Sequence, residues 1–269
     1  MRQQNKISMD EHGDRMKYYE QLETDRKFMK GLPIYARLDG HSFSKFTKPF
    51  KYPYDKKLRQ VFDEVCKYMI EKYNARLAYH QSDEISLLFF DGEYDEYGNL
   101  VQPLNRDFLF GGKIQKLTSL LAAAVTSKFI TTALRIMPEH SEHILQNSPE
   151  FDCRIFQVPN IMEAINQFVW RERDCNKNSV SMLARSLYSH TELKGKKRND
   201  MLDMIVKKGD NWNHWDSAFK RGTYLSKIQY EKEDGNVRNK IVIMEVPPIT
   251  KVLNKIGTLM FNETPILKE

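Results

Sequence analysis

At 269 residues, 41% hydrophobic and 29% charged, the chain has the size and balance of a globular protein with one sizeable core. No apolar run reaches the roughly 18–20 residues that span a bilayer, and Met1–Asp14 is polar and of mixed charge, without the apolar stretch of a secretory signal; a cytoplasmic location and no membrane partner are expected. The net charge of +6 favours a polyanionic partner, while Cys66, Cys153 and Cys175 are scattered, form no C-x-x-C pair and are read as reduced thiols.

In chain order, Leu32–Leu38 is short, mostly apolar and ends at Asp39-Gly40, which predicts a strand and a turn. Asp55 stands as a cap before Leu58, Val61, Phe62, Val65, Met69 and Ile70, spaced as on one helix face. Arg76–His80 and the strongly apolar Ile85–Phe90 read as two strands of a hairpin around Gln81–Glu84. A polar stretch, Asp91–Asn105, carries turn signals in Asp95-Glu96-Tyr97-Gly98-Asn99. Gly112–Met137 places Leu117, Leu120, Leu121, Val125, Phe129, Ile130 and Leu134 at helical spacing, and Phe151–Val158 reads as another strand. The order β-α-β-β-α-β predicts an α+β, ferredoxin-like (split βαβ) arrangement.

Beyond it, Asn160 with Glu163 signals a helix start, with helix expected to about Arg173, more to about Leu187, and again over Asn199–Val206. Thr223–Glu231 and Lys240–Val246 read as two strands joined at Asp234-Gly235-Asn236, and the segment after Pro247 as an irregular tail. No Gly-, Pro- or Ser-rich linker divides the chain.

The topology gives the carboxylates their meaning. In a split βαβ unit the first two strands run parallel with the third between them, so the end of strand one meets the hairpin joining strands two and three. Asp39 sits at the first place, Asp83 and Glu84 at the second. Clustered carboxylates repel unless a cation neutralises them, and hard oxygen ligands suit Mg²⁺. Gly40, without a side chain, would let its carbonyl reach a metal and its backbone approach a phosphate. Asp-Gly turns and Ser-Asp-Glu hairpin tips are also common structural features, and both readings stay open at this point.

Three blocks then bear a family likeness: Arg37-Leu38-Asp39-Gly40-His41-Ser42-Phe43-Ser44-Lys45-Phe46, Tyr79-His80-Gln81-Ser82-Asp83-Glu84-Ile85-Ser86, and Phe151-Asp152-Cys153-Arg154 continued by Trp170-Arg171-Glu172-Arg173-Asp174-Cys175-Asn176. Together they resemble the tRNA-His guanylyltransferase superfamily of 3′-5′ RNA polymerases, over roughly Met16 to Val246. The resemblance implies a polymerase-type palm over residues 1–160, with a helical and β-hairpin C-terminal extension over 161–269 packed on the same domain. It implies two Mg²⁺ ions held by Asp39, Asp83 and the Gly40 carbonyl, with Glu84 as a further catalytic carboxylate. Asp39, Gly40, His41, Ser42, Phe43, Ser44, Ser82 and Asp83 would line the nucleotide, with Arg37 reaching phosphate. Phe43 is equally read as a core aromatic, and Arg37 as a strand-edge charge. Lys113 and Lys116, at the start of a helix, would cradle a triphosphate.

Arg154, Arg171 and Asn178 would hold RNA, and Trp170 is read as a base-stacking residue or, preferentially, as core. Lys194, Lys196, Lys197 and Arg198 form a basic run, read as a solvated loop or an RNA contact. The implied reaction is a tRNA nucleotidyltransfer. ATP activates a 5′-monophosphate end, the GTP 3′-hydroxyl attacks it, and nucleotides are added to tRNA-His or to 5′-truncated tRNAs in repair. The resemblance also implies a homotetramer. The segment Asn176–Met182 departs from the His-Ile-Asn-Asn-Leu-Tyr-Asn of eukaryotic members except at Asn178, which points to the guanylyltransferase-like branch and to templated addition. The alternatives carried forward are a palm-type nucleotide cyclase and a non-catalytic RNA-binding protein.

Overall fold

Strand β1 (Ile34–His41) alternates its side chains between two buried faces, Ala36 and Leu38 on one and Tyr35 on the other, so it reads as a nearly continuous apolar run. The computed structural model describes residues 11–90, 92–94, 100–103, 108–231 and 236–268. A surface helix α1 (His12–Thr24) and a single turn α2 (Phe43–Phe46) flank β1. Helix α3 (Lys56–Tyr73) follows, with the Asp55 carboxylate accepting from the Lys57 and Leu58 amides at its start. Then come β2 (Leu77–Gln81), β3 (Glu84–Phe89), the small pair β4 (Gly92–Tyr94) and β5 (Leu100–Pro103), and α4 (Ile114–Ile136). A short α5 (Ser141–Gln146) leads into β6 (Glu150–Gln157) and the long α6 (Ile161–Leu187). Helices α7 (His190–Leu193), α8 (Arg198–Lys207) and α9 (Ser217–Arg221) precede β7 (Thr223–Glu231), β8 (Val237–Met244) and α10 (Lys255–Phe261).

The fold is a mixed helix and antiparallel-sheet architecture. Six strands pair in the order β6-β1-β3-β2-β7-β8, every pairing antiparallel. The C-terminal hairpin therefore continues the same sheet beside β2. Helices α3 and α4 cover one face through Val61, Phe62, Val65, Leu121, Val125 and Phe129. The first half of α6 covers the other through Ile161, Ala164, Ile165 and Phe168. Its second half leaves the sheet and builds a smaller core from Val180, Leu183 and Ala184 with Leu193, Ile205 and Phe219. Each such large side chain contributes about 1.5–3 kcal/mol relative to exposure.

Four expectations need revision. The tail after Pro247 is ordered: Ile249, Val252, Ile256, Leu259 and Met260 bury against α6 and the sheet, and the Ile249 amide donates to the buried Glu172 carboxylate at 2.8 Å. The two helical stretches after Asn160 are one unbroken helix, capped by the Asn160 side chain accepting from the Glu163 amide at 2.9 Å. The polar stretch from Asp91 contains β4 and β5. Helix α4 is long and apolar enough, by length and composition alone, to cross a bilayer, yet its buried line packs against α3 and β6 as core. The turns expected at 95–99 and 234–236 fall wholly or largely outside the described residues, as do residues 1–10 of the polar opening segment.

Candidate active site

The end of β1 and the β2–β3 turn come together as the antiparallel register requires. Asp39 stands opposite Glu84, and the Gly40 amide donates to the Asp83 carbonyl at 3.1 Å. Ser82, at φ 50°, takes the left-handed conformation that lets the chain reverse within two residues. Residues 44 positions apart in sequence thus share one end of the sheet. Gly40 has a packing reason as well: a Cβ there would lie 2.4 Å from the Phe43 ring, which tucks beneath the strand end. That ring is 4% exposed, lies among Phe46, Phe62, Phe129 and Phe151, and belongs to the core.

Above the carboxylates opens a cavity of about 710 Å³. Asp39, Ser44, Ser82 and Asp83 line its floor, Tyr54 and Arg59 one wall, and Asp174, Asn178, Met182 and Arg185 of α6 the other. The loop between α2 and α3 closes part of the rim with Lys48, Lys51 and Tyr52, tied to α6 by the Tyr52 hydroxyl donating to the Met182 carbonyl at 3.1 Å. These loop residues went unrecognised in the sequence. Lysines and tyrosines cluster just after the Asp39 block, but local spacing does not say which way a loop folds.

Burial raises the Asp83 carboxyl above its ordinary range, and the neighbouring Asp39 charge adds to the rise. Glu84 is also raised by burial, although Arg171 opposes the shift. The two acids are handled differently. Arg171 grips Glu84 with both nitrogens, Nε to Oε1 at 2.7 Å and Nη2 to Oε2 at 2.6 Å, and reaches Asp174 at 3.0 Å. The Asn178 amide donates to the same Asp174 oxygen at 3.1 Å. Among the described residues no ion pair neutralises Asp39 or Asp83.

The fit to a hard cation follows from this contrast. Among the described residues no three or more His, Cys, Asp or Glu side chains form a metal-binding group. Magnesium, however, commonly takes one or two protein carboxylates and completes its shell with water and substrate phosphates. Asp39 and Asp83, both lining the open cavity, would supply that kind of partial set, with the Gly40 backbone held beside Asp83 by its amide.

Other predicted residues are engaged differently, although Glu84 and Arg171 also line the cavity. Glu84, expected as a catalytic carboxylate, is 4% exposed and locked to Arg171, so its visible role is to pair a buried cation. Arg171, expected on RNA, is 8% exposed and committed to Glu84 and Asp174. Lys113 and Lys116 are absent from the cavity. Strand β3 runs away from the acidic end, from Glu84 opposite Asp39 to Phe89 opposite Ile34, so α4 begins at the far end of the sheet. There Lys113 pairs with Asp25 at 3.0 Å, and Lys116 sits over the Phe110 ring at 5.3 Å. It is the later part of α4 that reaches the acidic end, where Thr126 accepts from the Phe151 amide opposite Gly40. His41 and Ser42 are exposed just past the floor. Arg37 lies two residues before Asp39, its guanidinium 5.5 Å from the Trp170 ring. Trp170 is 52% exposed and not core, because its position on α6 faces away from the buried line. Arg154 is exposed on β6 beside Asp152, at 3.3 Å. In the basic run, Arg198 bonds Asn176 at 3.1 Å and lies over Trp212.

The family model described as Thg1, tRNAHis guanylyltransferase, matches residues 13–159, more than half of the chain and the whole of the acidic end. The chain belongs to the tRNAHis guanylyltransferase family. Members of this family are nucleotidyltransferases acting on tRNA. The uncharacterised protein R259 of Acanthamoeba polyphaga mimivirus is 31% identical over 242 residues, 86% of this chain and 81% of that protein. The tRNA(His) guanylyltransferase of Debaryomyces hansenii is 25% identical, covering 95% of this chain and 98% of its own. Among solved structures, a bacterial Thg1-like guanylyltransferase protein in complex with ATP is similar at TM-score 0.75 and 32% identity, over 93% of this chain and 99% of its own. Its counterpart in complex with GTP is similar at TM-score 0.68 and 33% identity, over 89% and 94%.

Proposed function

We propose that this guanylyltransferase-family protein is a 3′-5′ nucleotide-adding enzyme that extends the 5′ end of tRNA, with ATP and GTP as substrates in the large cavity. The observation that carries the reading is the meeting of Asp39 and Asp83, without a protein cation between them, on the floor of that cavity. The relatives solved with ATP and with GTP support a nucleotide there. The strand order β6-β1-β3-β2, with α3 and α4 on one face, supports reading the unit as a ferredoxin-like palm.

In this reading Asp39, Asp83 and the Gly40 carbonyl would hold two Mg²⁺ ions, which would supply activation of an attacking oxygen and charge stabilisation of the departing phosphates. The chain's own residues do the rest. Ser44 and Ser82 offer hydroxyls at the floor, and Lys48, Lys51 and Arg185 offer positive charge at the rim to phosphates. The Arg171–Glu84 pair fixes the hairpin that presents Asp83, since Glu84 is its immediate neighbour. In the scheme the tRNA 5′-monophosphate attacks the α-phosphorus of ATP and pyrophosphate leaves; the GTP 3′-hydroxyl then attacks the activated 5′-phosphate and AMP leaves. The departures in Asn176–Met182 support templated repair of truncated tRNAs over strict tRNA-His specificity. The proposal includes a homotetramer, to be measured by sedimentation velocity, and a cytoplasmic location.

The test offers labelled GTP, ATP and Mg²⁺ to full-length and 5′-truncated tRNAs and maps which ends grow. Growth at the 5′ end is expected. A cyclic nucleotide formed from GTP without RNA would replace the reading with a cyclase, and tRNA binding without turnover would replace it with a non-catalytic RNA-binding role.

A further inference from the structure

Trp170 is an exposed aromatic that neither the core nor the cavity uses. It is 52% exposed on α6, between the buried Val169 and Arg171. Its ring is bordered by two guanidinium groups, Arg171 at 4.6 Å and Arg37 at 5.5 Å. On the edge strand β6, Cys153 and Ile155 turn towards the α3–α4 core, so Arg154 and Phe156 turn to the α6 side by strand alternation. Phe156 is 38% exposed and lies 5.5 Å from Tyr35, which itself packs on Phe168 of α6. Arg154 stands directly opposite Arg37 across the strands. The result is a shelf of exposed ring surface rimmed by arginines, beside the sheet edge.

Its position matters. Arg37 and Asp39 lie two residues apart on one side of β1, about 7 Å along the strand. The shelf therefore begins within about one nucleotide's reach of the carboxylates, outside the nucleotide cavity, whose lining includes neither Trp170 nor Arg37 nor Arg154. An aromatic ring and planar guanidinium groups stack on the faces of unpaired bases, and exposed arginine answers the adjoining phosphates. A folded protein partner would be expected to meet a larger continuous apolar area, whereas this patch is two rings set among charges.

We propose that Trp170, with Arg37 and Arg154, forms a stacking shelf for an unpaired base of the RNA strand next to its reacting end. The proposal rests on the tRNA-extending reading above and assigns the RNA side of that same site. It gives Trp170 a positioning role and no part in bond making.

The experiment measures tRNA affinity of the full-length protein, without nucleotide and at fixed salt, for wild type, Trp170→Ala, Trp170→Phe and Arg154→Ala. 5-Iodouridine placed at successive positions near the reacting end maps photocrosslinks by mass spectrometry. Trp170→Ala is expected to weaken tRNA binding between about 5- and 100-fold, while Trp170→Phe, which keeps a ring face, loses far less. Arg154→Ala should reduce the salt slope by about one. KM for GTP should stay unchanged in both Trp170 variants, and the wild-type crosslink should fall on the peptide carrying Trp170. Unchanged tRNA affinity in Trp170→Ala, or a raised KM for GTP with tRNA affinity intact, would overturn the shelf. So would crosslinks that miss α6, a result that needs no variant to fold. Failure of the shelf would leave wild-type nucleotide addition in place, whereas failure of the enzymatic reading would appear as no addition by wild type.

Discussion

At the end of β1, Asp39 and Asp83 face a cavity with no protein cation between them, and the adjoining Glu84 is buried against Arg171. At its beginning, a lysine at a helix start, Lys113, is spent on an exposed pair with Asp25. The sequence offered both as phosphate chemistry: acids for a cation at one place, a helix N-terminus with lysines at the other. The cavity of about 710 Å³ is lined by the acids of the first place and not by the lysines of the second. The difference teaches that a charged motif acquires function from the end of the sheet it reaches, which is set by strand direction, not by the motif.

The largest effect that would break this comparison is at the acidic end. Asp83→Asn should lower nucleotide addition by at least about 10²-fold while tRNA affinity, measured by filter binding, changes little. Turnover at the wild-type rate would remove the acidic end from the chemistry.

Next comes the neutralised acid. Arg171→Met leaves Glu84 buried without its cation and should cost about 3–5 kcal/mol in chemical denaturation, with part of the loss recovered in the double variant with Glu84→Gln. Additive losses would mean that the two side chains do not act as a pair.

A smaller effect sharpens the contrast between Glu84 and Glu172, the residue that follows Arg171 in the chain. Glu172 receives the Ile249 amide but no arginine grip, and burial pushes its carboxyl up to about 7. The folded protein therefore holds a proton there that the unfolded chain has lost above its ordinary 4.5, and this contribution to stability falls as pH rises between those values. Glu172→Gln should gain about 3 kcal/mol over wild type between pH 4.5 and pH 8, read as a growing gap in Tm. A gap independent of pH would contradict the assignment. Smallest of all, Lys113→Ala should change stability by less than about 1 kcal/mol and leave KM for GTP within about two-fold. A large rise in KM would restore the triphosphate cradle and undo the comparison.

Much was legible before any coordinates. The periodicity of Leu58 to Ile70 showed the buried face of α3, and Asp55, as its cap, marked the start. The short apolar runs of β1 and β3 placed the acids at strand ends. The tail was missed because Ile256, Leu259 and Met260 make only two turns of helix, too short for a period to declare itself without the surface they cover. Trp170 was misread for a related reason: it neighbours buried Val169 and Arg171, and a helix turns by only about 100° per residue, so a small error in locating the face changes in to out.

The sequence by itself determined which residue types were available: two acids at polar turns, a glycine beside one of them, and the helical and strand periods that order them. Tertiary structure alone decided which acids stay free. Pairing is a matter of distances across 87 residues of chain, as between Arg171 and Glu84. Local pattern carries no information about such distances, because the electrostatic fate of a side chain depends on what the fold brings within a few ångströms of it.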